Sequence, residues 1–118
     1  MDKEYELELL TLAQRDLEEI GRVHMELSGS LSAHKITDSI YSSLEKLKAF
    51  PDLGITCRDK HLSAAGYRML ICGNYLCFYR KIGRTVFVYH IVDGRMDYPK
   101  LLFEMKRANS QSEYSGVD

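Results

Sequence analysis

The sequence predicts an α+β fold: an antiparallel-rich twisted sheet of about four strands, an N-terminal helical hairpin packed on one face, and a short C-terminal helix. Three observations carry this. Apolar residues recur at helical spacing between Ala13 and Phe50. They follow strand periodicity between Tyr67 and Val92. A Gly73-Asn74 pair divides the second region in the manner of a two-residue hairpin turn.

The element order β-α-α-β-β-β-α follows from the chain in sequence. Residues 4–10 set Tyr5, Leu7 and Leu9 against Glu4, Glu6 and Glu8, the alternation of a half-exposed strand at or near a sheet edge. Thr11 is placed to cap the helix that follows. Its stripe is Ala13, Leu17, Ile20, His24 and Leu27, with Gln14, Arg15, Glu18, Glu19 and Arg22 opposite, and Gly29 ends it. Ser32 is a candidate N-cap for a second helix with the stripe Ala33, Ile36, Ile40, Leu44, Leu47 and Phe50, stopped by Pro51. Residues 51–65 read as a loop. Three strands follow, over residues 67–72, 75–81 and 85–92, with Gly73-Asn74 as a type II′ turn and a second short turn around Ile82-Gly83. Asp97 would cap a final helix with Pro99 in its first turn and Leu101, Leu102 and Met105 on its apolar side. Residues 1–108 are assigned to one domain and residues 109–118 to a polar, disordered tail.

Composition narrows the function. The chain has 118 residues, 45% hydrophobic and 28% charged, with a net charge of -1 and a pI near 6.4. Nucleic-acid binding draws its affinity from phosphate neutralisation by Lys and Arg, so a basic patch remains open but a generally basic protein does not. No apolar run reaches the length of a membrane span, and the acidic start MDKEYELELL lacks the plan of a signal peptide. Cys57, Cys72 and Cys77 form no CxxC pair and read as free thiols in a reducing cytoplasm. Neither a metal nor a cofactor is expected, because the ligand spacings are absent.

The turn at Gly73-Asn74 sets the register: Cys72 opposite Tyr75, Leu70 opposite Cys77, Arg68 opposite Tyr79. Those six share one face. The other face carries Tyr67, Met69, Ile71, Leu76, Phe78 and Arg80, is mostly apolar, and is expected to meet the helices. Arg68, Tyr75, Cys77 and Tyr79 are then expected to look outward. Arginine and tyrosine on an open face suit an anionic or amphipathic partner. Arg95, beyond the Asp93-Gly94 corner, either reaches toward Arg68 or pairs with Asp93 or Asp97. His90 is expected as a hydrogen-bonded core group rather than a general base. No Ser-His-Asp plan, phosphate loop or catalytic carboxylate pair is present.

The stretch GYRMLICGNYLCFYR followed by VFVYHIVDGRMDYPKLLF resembles the RelE/ParE superfamily of bacterial type II toxin–antitoxin toxins, as do LAQRDLEEI and LEKLKAFPDLG. The resemblance covers roughly residues 5–105. It implies a small cytoplasmic toxin, growth-inhibiting when free and neutralised by a cognate antitoxin in a hetero-oligomer. RelE-like members cleave mRNA in the ribosomal A site without metal, whereas ParE-like members poison DNA gyrase. For an mRNA endonuclease the resemblance implies Arg68, Arg95 and Tyr98 as catalytic. As target-binding residues it and the face reading give Arg68, Tyr75, Tyr79, His90, Arg95 and Asp97. Leu70, Cys72 and Cys77 stand where RelE-like members carry cations, which favours the gyrase-poisoning reading. Two alternatives stand beside it: the endonuclease, and a non-toxic module that binds an antitoxin or assists repression.

Overall fold

The computed structural model describes residues 4–95 together with Arg107. The elements are β1 (Glu6–Leu9), α1 (Thr11–Ser28), α2 (Ser30–Glu45), a 3-10 turn (Lys46–Lys48), β2 (Ile55–Thr56), α3 (Lys60–Ala64), β3 (Tyr67–Cys72), β4 (Tyr75–Ile82) and β5 (Thr85–Asp93). The five strands form one sheet in the order β1-β5-β4-β3-β2. β1 runs parallel to β5, and every other pairing is antiparallel. The predicted fold class stands, with two additions inside residues 51–65. β2 is two residues long, too short to show alternation. α3 is a single turn, started by Asp59, whose carboxylate accepts a hydrogen bond from the Leu62 N–H at 3.1 Å. The predicted C-terminal helix and tail, with Asp97, Tyr98 and Pro99, lie outside the described residues.

The helical hairpin forms without the caps the sequence suggested. Leu10 and Gly29 hold the two N-cap positions and make no side-chain cap bond; Thr11 and Ser32 lie within the helices. Gln14 instead donates to the Leu9 carbonyl at 2.7 Å. Ala13, Ile20, Ile40 and Leu44 point into the sheet and are buried, whereas Leu27 and Leu31 flank the connection at Gly29 and are exposed. The tip of the hairpin is therefore not covered by the sheet, and Leu27 leaves the expected core stripe. Phe50 leaves it too, because the 3-10 turn that buries Leu47 carries the chain outward.

The predicted β3–β4 register is observed, with Cys72 opposite Tyr75, Leu70 opposite Cys77 and Arg68 opposite Tyr79. Gly73 takes φ +62° and Asn74 a negative φ, the sign pattern of a type II′ turn that matches the twist of the strands. The assignment of faces is reversed. Leu70, Cys72, Tyr75, Cys77 and Tyr79 pack with the helical hairpin in the main core. Tyr67, Phe78 and Val92 form a second core with Cys57 and Leu62 of the α3 region, and Met69, Leu76 and Tyr89 pack against it. Both rows are buried, so hydrophobicity could not tell which one the helices take. Each fully buried aliphatic or phenyl side chain contributes ~1.5–3 kcal/mol, on either side of the sheet.

Candidate functional site

The carboxyl end of β5 and one side of α1 frame a cleft of about 320 Å³, lined by Asp16, Ile20, Val23, Tyr75, His90 and Asp93 among others. Its geometry begins with a register change. Phe78 pairs with His90 while Tyr79 pairs with Val88, so Tyr89 is an extra residue in β5. β1 ends at Leu9, opposite Val88, and among the described residues no strand pairs with the outer edge of β5 beyond that point. Asp16, one turn into α1, fills the gap. Its Oδ2 accepts a hydrogen bond from the Ile91 N–H at 2.9 Å and pairs with Nδ1 of His90. His90 is thus the hydrogen-bonded, largely buried group expected of it.

Two further pairs complete the cleft. The Tyr75 hydroxyl lies 3.0 Å from Nε2 of His24. Burial raises the Tyr75 phenol pKa first, the Asp93 charge adds to the rise, and Arg95 opposes it. At the rim, Arg95 grips Asp93 through Nε at 2.9 Å and a terminal nitrogen at 2.6 Å, while the Arg95 N–H donates to the same carboxylate at 2.9 Å. That bidentate side-chain contact, followed by the backbone donor, holds the Asp93 carboxyl down at about 2. The Gly94 N–H donates to the Asn74 carbonyl at 2.7 Å and fixes the corner against the β3–β4 turn. Each anion here has a donor, over a floor of Ile20, Val23, Ile91 and Val92.

The remaining candidates lie elsewhere. Arg68 does not join Arg95: it stands opposite Tyr79, four residues or about 13 Å along β4 from the Tyr75 row. It donates to the Gly54 carbonyl at 2.8 Å and lies 3.6 Å from the Asp52 carboxylate. Tyr79 is fully buried, so it cannot meet a target directly. Its hydroxyl donates to the Pro51 carbonyl at 2.8 Å and accepts from the Gly54 N–H at 2.9 Å. The two residues hold the turn that follows the 3-10 element. Tyr75 is also buried, at 8% exposure, and lines the cleft wall. The expectation of an outward row of Arg68, Tyr75, Cys77 and Tyr79 is corrected accordingly. A third arginine, Arg80, lies on the second face between the rings of Tyr67 and Tyr89, at 4.9 and 5.1 Å, and donates to the Ala65 carbonyl. Asp97 and Tyr98 fall outside the described residues.

Sequence reasoning missed Asp16 and Gly54. Asp16 had a signal: it is three residues after Ala13 and four before Ile20, which puts a carboxylate on the core stripe. Gly54 gave none beyond its turn composition. A Cβ there would stand 2.8 Å from the Met69 carbonyl and from the Tyr79 ring.

The family model for the ParE toxin of type II toxin–antitoxin systems matches residues 7–98. The chain belongs to that toxin family. The ParE-family match runs from Leu7, within β1, past the corner at Arg95, and so takes in part or all of each of the five described strands. In fold, this ParE-family chain is similar to the chromosomal ParDE system from P. aeruginosa, with a TM-score of 0.65 and 20% identity over 75% of this chain and 95% of the other. It is also similar to the RelBE2 toxin–antitoxin complex from Mycobacterium tuberculosis, with a TM-score of 0.57 and 19% identity over 76% and 98%. A comparison with curated proteins gives no match. Among the described residues of this toxin-family chain, no group of His, Cys, Asp and Glu is arranged to hold a metal, and no helix is long and apolar enough to cross a membrane.

Proposed function

We propose that this chain is a cytoplasmic, growth-inhibiting toxin that acts by protein–protein contact, with DNA gyrase as its target, and that a cognate antitoxin neutralises it. The observation that carries the choice of target is the dispersal of its cations. Cleaving a phosphodiester without metal needs several unneutralised cations converging on one phosphate, to stabilise the charge of the transition state. Arg95 is closed onto Asp93, Arg68 is committed to Gly54 and Asp52, and Arg80 is held between two tyrosines on the other face. Cys72, Cys77 and Leu70 occupy the row where further cations would be needed, and all three are buried. The cleft beside α1 is charge-balanced and floored by apolar side chains, a surface suited to docking a protein. The exposed guanidinium of Arg95 is the residue assigned to contact the target, with His90 and Tyr75 shaping the cleft behind it.

The test is to express the chain in bacteria without an antitoxin, and to add the purified protein to a gyrase supercoiling assay. The expected result is growth arrest with gyrase-trapped DNA breaks. Rapid translation arrest with codon-positioned mRNA cuts and intact DNA would instead establish the endonuclease. Full growth would establish the non-toxic module.

A further inference from the structure

Cys72 and Cys77 are not used by the site described above. They sit diagonally across the β3–β4 ladder, since Cys72 is opposite Tyr75 and Cys77 opposite Leu70. Both are free and buried in the main core, yet their sulfurs are only 3.6 Å apart and share a hydrogen bond. The two thiols are unequal. The Cys72 thiol is lowered to about 7, first by the hydrogen bond from Cys77, with the Ser43 hydroxyl and the Lys46 charge acting the same way against burial. Cys77 is pushed upward, by that same hydrogen bond and by burial. A thiolate beside a protonated thiol is the arrangement of an attacking and a resolving cysteine. Of the two, Cys72 keeps a small exposed fraction, 7%, whereas Cys77 has none, so a small peroxide meets Cys72 first.

We propose that Cys72 and Cys77 are a hydroperoxide-responsive thiol pair that closes to a cross-strand disulfide. In the first step the Cys72 sulfur attacks one peroxide oxygen. An S–O bond forms, the O–O bond breaks, and the departing hydroxide takes up a proton to leave as water. In the second step the Cys77 sulfur attacks the sulfenic sulfur of Cys72. The S–S bond forms, the S–O bond breaks, and the Cys77 proton leaves with the hydroxide as a second water. Two thiols and one hydrogen peroxide thus give one disulfide and two waters. Diagonal positions on a ladder are roughly 7–8 Å apart at Cα, slightly beyond the usual span of a disulfide, so closure draws the β3–β4 hairpin in on itself. A bridge under that strain is readily reduced by a dithiol. It also disturbs the sheet face on which Leu44 and Ile40 pack.

The experiment treats the full chain with one equivalent of hydrogen peroxide and reads intact mass, titratable thiols and the thermal unfolding midpoint. The expected result is a loss of two hydrogens and of two thiols, a peptide map joining Cys72 to Cys77, a lowered midpoint, and full reversal by dithiothreitol. Cys57→Ser keeps the response and Cys77→Ser abolishes the mass loss. The map on the unsubstituted chain does not depend on either variant folding. An unchanged mass, oxygen additions that persist with Cys77 in place, or a map joining Cys57 to either partner would overturn the proposal. Gyrase activity is not read, so this outcome is independent of the target assigned above.

Discussion

Asp16 completes the outer edge of β5 by accepting the Ile91 N–H at 2.9 Å, in the place a longer β1 would have taken. One carboxylate oxygen serves both this backbone donor and the His90 ring. The contact ties the start of the helical hairpin to the strand that carries the Asp93–Arg95 corner, so the fold and the candidate site meet at Asp16.

Replacing Asp16 by Ala leaves the Ile91 N–H and the His90 ring without their acceptor in a largely buried place. Hydrogen bonds to a charged acceptor of this kind contribute roughly 1.5–3 kcal/mol. The expected outcome is a loss of stability in that range by urea unfolding, with Asp16→Asn losing less because its carbonyl can still accept from Ile91. An unchanged midpoint in Asp16→Ala would show that the contact is dispensable.

Gly54 is closed in by the Met69 carbonyl and the Tyr79 ring. Gly54→Ala forces one of them to move, and overpacking of this kind costs about 1–3 kcal/mol. Tyr79→Phe removes the hydroxyl that serves the Gly54 N–H and the Pro51 carbonyl, with an expected loss of similar size. The double variant should lose less than the sum, because both changes release the same turn. Strict additivity in a double-mutant cycle would mean the two residues act apart.

Arg95 and Arg68 should separate in their effects. The Arg95 side chain is 73% exposed and its ion pair with Asp93 lies at the surface, so Arg95→Ala is expected to leave the unfolding midpoint nearly unchanged while abolishing growth arrest. Arg68→Ala loses the Gly54 contact and is expected to cost about 1–2 kcal/mol. Full toxicity in Arg95→Ala, at matched expression, would remove Arg95 from the target contact.

The Asp93 carboxyl has a folded pKa of about 2, depressed below its ordinary 3.8 by Arg95. A carboxyl depressed on folding contributes stability above its unfolded pKa and loses it as pH falls through the folded value. The Asp93 contribution should therefore be constant above about pH 4 and fade toward pH 2. It will be small and weakened by salt, because the pair is exposed. Comparing Asp93→Asn with the parent chain across that window checks the sign: the difference in stability should shrink as pH falls. A difference that grows would reverse the assignment.

Much of the architecture was legible in the chain because it rests on local periodicity. The 3.6-residue stripe through Ala13, Ile20, Ile40 and Leu44 gave both helices, and Gly73-Asn74 gave the β3–β4 register residue for residue. Residues 51–65 were opaque, since a two-residue strand and a one-turn helix are too short to repeat a pattern. The site was only partly legible. Arg95 pairing with Asp93 and His90 as a bonded core group follow from near neighbours and burial. Its place on the core stripe marks Asp16 as buried, but its partner Ile91 lies 75 residues away and local spacing does not name it.

By itself the sequence determined the two long helices and the longer strands, how the central hairpin is paired, and the toxin superfamily it resembles. Only the tertiary structure decided which sheet face the helices cover. Both rows of β3 and β4 are apolar enough to bury, and hydrophobic burial has no direction of its own. The choice falls to packing and hydrogen bonds between distant residues: Tyr75 with His24, and Tyr79 with the turn at Gly54. That choice turned the tyrosines inward, set Arg68 to hold a turn, and left Arg95 as the exposed guanidinium beside the cleft.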